Sequence, residues 1–113
     1  MPRTAFAALA VLALLPATAA QAQIAFQGAG QRNAVECDGE SVHLQGADNR
    51  LAISGACKSL VVEGAGNEIT IALAPQSTIR VQGAGNRIAW TAPGTARPKV
   101  AISGADNRVW RAK

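Results

Sequence analysis

The chain has 113 residues, a formal net charge of +4, two cysteines and one histidine. This length predicts a single domain. Nucleic-acid binding requires clustered basic residues interleaved with stacking aromatics, whereas here the basic residues are dispersed and aromatics make up only 4% of the chain. We therefore expect no nucleic-acid partner. The cysteines and the histidine supply too few ligands for a metal site, so we also expect no cofactor.

The N-terminal residues resemble a secretory signal. Arg3 precedes an apolar run of 11 residues, Ala5 to Leu15, and small residues follow up to Ala22. This pattern predicts a signal peptide over residues 1–22 that is cleaved after Ala22, because the apolar run is too short to span a bilayer. Residues 23–113 would then form one domain without a transmembrane segment. Losing Arg3 leaves ten basic and seven acidic residues, a net charge of +3, on a periplasmic or extracellular product.

Related stretches recur along the rest of the chain: QGAGQRNAV, QGADNRLAI, EGAGNEITI, QGAGNRIAW and SGADNRVWR. Their first glycines are Gly28, Gly46, Gly64, Gly83 and Gly104, so the spacings are 18, 18, 19 and 21 residues. A nearly constant period of this length indicates a repeat architecture.

Aliphatic residues alternate with other residues on both sides of each glycine stretch, which is typical of β-strands. The alternating positions before the glycine are Val42, Leu44, Leu60, Val62, Ile79, Val81, Val100 and Ile102, and those after it are Leu51, Ile53, Ile69, Ile71, Ile88, Trp90 and Val109. We therefore predict an all-β coil of strand, Gly-Ala-Gly/Asp-Asn corner, strand and a more variable second corner.

Two architectures fit this alternation. We favour a short parallel β-solenoid of about five coils, because identical corners at a constant period stack their identical side chains. An antiparallel β-meander with each glycine stretch as a hairpin loop remains the alternative. Glycine and asparagine both tolerate positive φ at such corners. In the solenoid the structural turn residues Gly46, Gly64, Gly83 and Gly104 would stack, and an amide ladder would form from Asn49, Asn67, Asn86 and Asn107.

Cys37 and Cys57 are expected to pair in an exported chain, and closing a loop of this length contributes about 3 kcal/mol. They lie 9 and 11 residues after their preceding repeat glycines. An offset of two residues would hold the Cα atoms beyond bridging distance. We therefore expect a local shift in the first coil, where Gln31 replaces the asparagine and Asn33 follows.

The Gly-Ala-Gly-Asn corners between alternating aliphatics, the two early cysteines and the late segment Pro98 to Val100 together resemble the bacterial domain of unknown function 3060. The resemblance covers essentially the whole chain after the signal. It implies a small exported protein of β-rich repeats, and it carries no assigned activity or catalytic residues.

Two other repeat families are similar in part. Calcium-binding β-rolls share the glycine-rich corners but need aspartate where this chain has Arg50, Glu68, Arg87 and Arg108, which argues against calcium binding. Curlin-type amyloid repeats share Gly-x-x-Asn and a similar period. They carry glutamine two residues before the glycine, where this chain has aliphatic residues.

Nothing in the sequence predicts catalysis. His43 lies between two inward positions, so alternation directs it to solvent. No spacing suggests a nucleophile with its base, and no Lys-Ser/Thr follows the glycines as in a phosphate loop. We expect a non-enzymatic protein.

Stacking would create outward columns beside the corners. Gln27, Gln45, Glu63, Gln82 and Ser103 precede the corners, and Arg50, Glu68, Arg87 and Arg108 follow them. These columns are either a solvated ladder or a binding strip for a cell-envelope glycan or polymer. The open ends of a solenoid also allow self-association, so a curlin-like fibre subunit is the alternative function. Trp110, Arg111 and Lys113 would form a charged cap at one end.

Overall fold

The computed structural model describes residues 23–112, so the predicted signal peptide and Lys113 lie outside the described residues. The described part contains eight β-strands: β1 (Gln23–Ala29), β2 (Arg32–Glu36), β3 (Ser41–Ala47), β4 (Arg50–Ala65), β5 (Glu68–Ala84), β6 (Arg87–Thr91), β7 (Lys99–Ala105) and β8 (Arg108–Arg111). Among residues 23–112 there is no helix with the length and apolarity needed to cross a bilayer.

Every strand pair is parallel, and each strand pairs with the equivalent segment of the next coil. One face runs through β1, β3, the second half of β4, the second half of β5, and β7. The other runs through β2, the first halves of β4 and β5, and then β6 and β8. The parallel solenoid of about five coils is confirmed, and the antiparallel meander is wrong because hairpins would pair antiparallel.

The core lies between these two faces and consists of the alternating residues. The buried members include Val42, Leu44, Leu51, Ile53, Leu60, Val62, Ile69, Ile71, Ile79, Val81, Ile88 and Trp90. They bury one side of β3, β4, β5 and β6, while the residues between them lie on the outer surface. The outer surface is therefore built of columns in which each coil contributes one side chain per position.

The first glycine of each corner allows the coils to stack closely. At Gly64, φ is +142°, and a Cβ would lie 1.8 Å from the carbonyl oxygen of Gly46 in the preceding coil. The same distance recurs at Gly83 against Gly64 and at Gly104 against Gly83. No side chain fits this position, so the constraint here is close backbone approach as well as positive φ.

The left-handed conformation falls on the third corner residue. Gly66 has φ +67°, and Asp48 and Asp106 have φ +56° and +57°. The corner asparagines are not among the residues with positive φ. Their suggested role in left-handed geometry is therefore wrong, because the preceding glycine or aspartate makes the turn.

Instead, the corner asparagines are hydrogen-bonding groups, and Asn49, Asn67 and Asn86 are buried. The backbone N and side-chain Nδ2 of Asn49 both donate to Asn67 Oδ1 at 3.1 Å. Asn67 Nδ2 donates to Gly46 O and to Asn86 Oδ1, each at 3.0 Å. Asn107 continues the ladder at the last corner, accepting from Asn86. Asn49, Asn67 and Asn86 thus each connect three coils and satisfy backbone groups that the corner leaves without strand partners.

The disulfide is present, with a Cα–Cα distance of 5.7 Å between Cys37 and Cys57. The expected shift of the first coil is wrong, because β1 and β2 keep an unbroken 18-residue register with β3 and β4. Instead, different turn conformations at the second corners compensate for the two-residue offset between Cys37 and Cys57. Asp38 and Gly39 turn the first coil at positive φ, and Gly55 and Ala56 do so in the second.

The two ends of the stack differ. Arg111 occupies an inward position of the last coil, with its guanidinium 5.2 Å from the ring of Trp90, and it donates to the carbonyls of Ala92 and Gly94. Trp110 lies on the outer face and is 45% exposed, so it does not cover the core. Of the three expected capping residues, Arg111 has this role, and Lys113 lies outside the described residues.

Replacing Gly64 with alanine should strongly destabilise the fold, because the new Cβ would meet the Gly46 carbonyl, a backbone atom that can move only if the stack opens. We expect a loss of at least about 3 kcal/mol in the free energy of urea unfolding. Gly94→Ala is the control, since Gly94 has φ +57° but nothing within 4 Å of its would-be Cβ. That strain should cost only about 1 kcal/mol. Equal losses in the two variants would contradict close stacking at the corner.

Replacing Asn67 with alanine should also lower stability, because it removes the acceptor of two Asn49 donors and the donor to Gly46 O. Buried groups left without partners cost about 1–3 kcal/mol each, so we expect a loss of about 3–5 kcal/mol in thermal or urea unfolding. Asn33→Ala is the matched control, since Asn33 is exposed in the first coil. An Asn67→Ala protein as stable as this control would show that the ladder is dispensable.

Candidate functional site

Charged side chains just after the corners form one column, which we name the arginine column: Arg32, Arg50, Glu68, Arg87 and Arg108. The strand register places these residues directly beside one another, one per coil. All five are exposed, because they alternate with the inward core positions. The column therefore presents a continuous row of long polar side chains on one face.

The arginine column carries an excess of positive charge. Arg50 Nε lies 2.7 Å from Glu68 Oε2, in an ion pair whose side chains are 59% and 47% exposed. Such an exposed pair contributes little to stability. Within residues 23–112, Arg32, Arg87 and Arg108 have no carboxylate at ion-pair distance. These three guanidiniums are free to hold an anion, and each can bind a carboxylate or phosphate in bidentate geometry.

A shallow groove runs beside this column on the same face. Its floor is the next outward column, which we name the alanine column: Ala34, Ala52, Thr70, Ala89 and Trp110. The groove has a volume of about 500 Å³ and is bordered by Arg32, Arg50, Glu68 and Arg87. Trp110 lines the C-terminal end of the groove. Arg108 lines an adjoining depression that it shares with Ile102 and Val109 at the open end of the stack. With coils about 4.8 Å apart, the groove is roughly 20 Å long.

The groove combines a small-residue floor, a cationic border and one exposed aromatic ring at its end. The small side chains of the alanine column leave space along the face. An extended chain could therefore lie against the floor while its anionic groups reach the arginines. The geometry suits a linear ligand better than a compact one, because the same features repeat once per coil.

The residues that precede the corners form a separate column on the other face, which we name the glutamine column: Gln27, Gln45, Glu63, Gln82 and Ser103. Gln27 Nε2 donates to Gln45 Oε1 at 3.0 Å, and Gln45 Nε2 donates to Glu63 Oε2 at 3.3 Å. His43 Nε2 lies 3.0 Å from Glu63 Oε1 on the outer surface. In the first coils the column thus hydrogen-bonds within itself.

The corner lies between the two columns and places them on different faces. The single binding strip predicted from the sequence is therefore wrong, because its residues belong to two faces. Arg50, Glu68, Arg87 and Arg108 lie beside the groove, whereas Gln45, Glu63 and Gln82 belong to the glutamine column. Only the arginine column borders the groove described above. The described residues include no cluster of three or more His, Cys, Asp or Glu that could hold a metal ion.

Two groove residues were not proposed from the sequence. Arg32 follows Gly28 by four residues, as Arg50 follows Gly46, but the expected shift of the first coil concealed this equivalence. Trp110 was interpreted as part of a cap, although it aligns with Ala89 on the outer face. Extending the glycine-based numbering through both terminal coils would have placed both residues beside the groove.

The structure defines the molecule as a small parallel β-solenoid with a cationic groove along one face. A family model described as "Protein of unknown function (DUF3060)" matches residues 44–106, more than half of the chain. The chain therefore belongs to this family. The match runs from β3 to the last corner and leaves out both Arg32 and Trp110, at the two ends of the groove. No curated protein and no solved structure gives a significant match.

Proposed function

We propose that the protein is exported and binds an extended anionic polymer of the cell envelope in the groove, without catalysing a reaction. The observation that carries this proposal is the arginine column beside the flat alanine column. Four arginines against one glutamate give the column a net positive charge, and three of the arginines have no partner among the described carboxylates.

The spacing supports a polymeric ligand. Neighbouring arginines in the column are about 4.8 Å apart, and the coils on either side of Glu68 are about twice that distance apart. A chain with regularly repeated carboxylates or phosphates could contact several guanidiniums at once, so weak contacts would add along the groove. Trp110 offers an exposed ring at one end, against which the apolar face of a sugar could pack. Together these features favour an acidic glycan.

Two features support export. Residues 1–22 have the composition of a signal peptide. The pairing of Cys37 with Cys57 is the second feature, since disulfides persist mainly in oxidising compartments. A periplasmic or extracellular location would bring the groove into contact with envelope polymers.

A non-enzymatic role is the simpler account of the groove. The arginine column and the alanine column contribute guanidiniums, methyl groups, one indole and the Thr70 hydroxyl. The one carboxylate, Glu68, is engaged by Arg50. General acid–base catalysis needs a group positioned to exchange a proton with the substrate, and these side chains are better suited to binding.

A curlin-like fibre subunit remains the second candidate function. Its support is the C-terminal end of the stack, where Val100 and Ile102 are 43% and 47% exposed. Fibres would form if that end stacked on the N-terminal coil of another copy. Concentration-dependent thioflavin binding and pelleting of the oxidised protein would support the fibre, and their absence at high concentration would reject it.

Replacing Arg50, Arg87 and Arg108 together with serine should weaken retention on an acidic polysaccharide, because it removes most of the groove's positive charge. We expect an affinity loss of roughly tenfold or more for polygalacturonate, measured by cosedimentation or calorimetry, and weaker binding of the native protein at high salt. The matched control is Lys58, Arg80 and Arg97 to serine, which removes the same charge elsewhere.

The control triple should retain its affinity, since none of its residues borders the groove. Equal losses in both triples would indicate non-specific charge attraction and contradict the groove. Native protein that binds neither polygalacturonate nor a phosphate-bearing envelope polymer would reject the proposed function.

Expressing the full chain in a bacterial host should yield a processed product that starts at Gln23 and contains the oxidised Cys37–Cys57 pair. Intact mass spectrometry before and after alkylation measures both features. Leu14→Arg is the control, because a charge within the apolar run should block export and leave the chain unprocessed. A native chain that stays full-length in the cytoplasm would contradict export.

A further inference from the structure

The C-terminal end of the stack leaves part of the core uncovered. Ile79 and Val81 are 1% and 0% exposed, but Val100 and Ile102 in the same columns of the last coil are 43% and 47% exposed. Among the described strands, β7 pairs only with β5. Its other edge therefore presents unpaired N–H and C=O groups beside exposed aliphatic side chains, which favours pairing with another strand.

Two polar side chains, those of Gln31 and Asn33, lie at the N-terminal end of the stack. A Cβ on Gly28 would lie 2.8 Å from Gln31 Nε2, whereas at Gly46 the same space holds the carbonyl oxygen of the preceding glycine. The Gln31 amide thus occupies the place that the Gly104 carbonyl of a stacked copy would need. Asn33 puts a second amide in the inward column that continues through Leu51. Both residues oppose head-to-tail stacking.

We propose that the β7 edge is an interface for a second copy of this chain, paired antiparallel about a two-fold axis through Ala101. This arrangement sets Val100 opposite Ile102 of the second copy, so the aliphatic residues that remain exposed face each other. Lys99 lies opposite Ser103 of the second copy, and Ala101 lies opposite its own equivalent. No like charges oppose one another along β7, and each copy gains the strand partner that it lacks.

The size of the end surface fits a weak but specific dimer. Strands of seven residues are about 23 Å long and the two faces are about 10 Å apart, so with side chains each end covers roughly 500 Å². Two such ends bury about 1,000 Å², close to the lower limit for a specific interface. A two-fold interface also uses the same surface on both copies, and the assembly stops at two.

The dimer has a consequence for the groove, and this consequence alone rests on the proposed function. The two-fold axis is perpendicular to the plane of the β7 sheet and passes through the opposite face. It therefore also brings the β8 edges of the two copies together on that face. The two grooves then lie end to end and form one track of roughly 40 Å, with the two Trp110 rings near its centre. A polymer could contact both arginine columns at once, which raises its apparent affinity.

Single cysteines test the interface directly. The two-fold axis predicts that Ala101→Cys, in the protein purified after expression of the full chain, is captured as a covalent dimer by a short bis-maleimide. Ala25→Cys is the matched control, because Ala25 occupies the same outward column in the first coil. We expect dimers on denaturing gels from Ala101→Cys only, with a yield that rises with protein concentration.

The other outcomes overturn the proposal. Ladders of higher oligomers from the double variant Ala25→Cys/Ala101→Cys, with no dimer from Ala101→Cys alone, would show head-to-tail stacking. An absence of cross-linked products at any concentration would show that the end does not bind a second copy.

Sedimentation velocity provides an independent measurement without cysteine substitutions. The native protein should shift from monomer to dimer in the micromolar range, consistent with an interface near 1,000 Å². Val100→Lys should lower the association constant by at least tenfold, while Ile24→Lys, in the same column at the other end, should leave it unchanged. A native protein that stays monomeric to hundreds of micromolar, or equal effects of the two variants, would reject the β7 interface whether or not the groove binds a polymer.

Discussion

The close stacking of corner backbones is the constraint on which the rest of this structure depends. At each repeat the glycine carbonyl of one coil occupies the space where the next glycine would carry a Cβ. The buried asparagine then joins the coils by donating from Nδ2 both to the preceding glycine carbonyl and to the next asparagine. These contacts fix the register of every coil against its neighbours at one point. With the register fixed there, the strands on both sides of the corner are aligned as well.

Because the register is fixed, equivalent outward residues of successive coils lie side by side in a column. The outer surface therefore repeats the same features once per coil. The arginine column exists because the residue after each asparagine is always in the same place relative to the corner. The same regularity gives the alanine column its flat floor. A deletion of one residue within a corner would shift the strand that follows it by one residue and move its arginine to the inward side. The spacing that maintains the core therefore maintains the groove.

Much of the fold could be predicted because its period and alternation are local properties of the sequence. Val42 and Leu44 are inward residues of one strand, and their spacing of two is visible in the sequence. The spacing of the repeat glycines marks where each coil begins, even though the contacts between coils are not known from the sequence. The second corners could not be predicted in the same way, because their conformations depend on tertiary contacts. Ala56 takes φ +53°, which costs an alanine about 1–2 kcal/mol and gives no signal in the sequence. This geometry lets Cys57 reach Cys37 without any shift of the first coil.

The site was only partly predictable for a related reason. Alternation alone indicates that Gln45 and Arg50 both face outward, but it does not indicate that the corner places them on different faces. The position of Trp110 required the register of the last coil, which a longer loop between β6 and β7 obscures in the sequence. Composition near a chain end suggests a cap formed by both residues, whereas the register assigns the indole to the groove and only Arg111 to the position beside Trp90 that caps the core.

The unequal ends follow from the direction of a parallel stack. The backbone N–H of each corner asparagine donates toward the C-terminal end of the stack: Asn49 N donates to Asn67 Oδ1, and Asn67 N donates to Asn86 Oδ1. Among the described residues, Asn107 is the last in this series, and its backbone N–H has no equivalent acceptor there. The first corner ends the series differently, because Gln31 N donates to Asn49 Oδ1 while its own side chain folds over Gly28. The corner polarity alone would match the open end to an N-terminal coil, but the Gln31 side chain occupies the space at Gly28 that such stacking needs. The unpaired β7 edge has both N–H and C=O groups, and antiparallel pairing with a second β7 satisfies both, which favours a pair over a fibre.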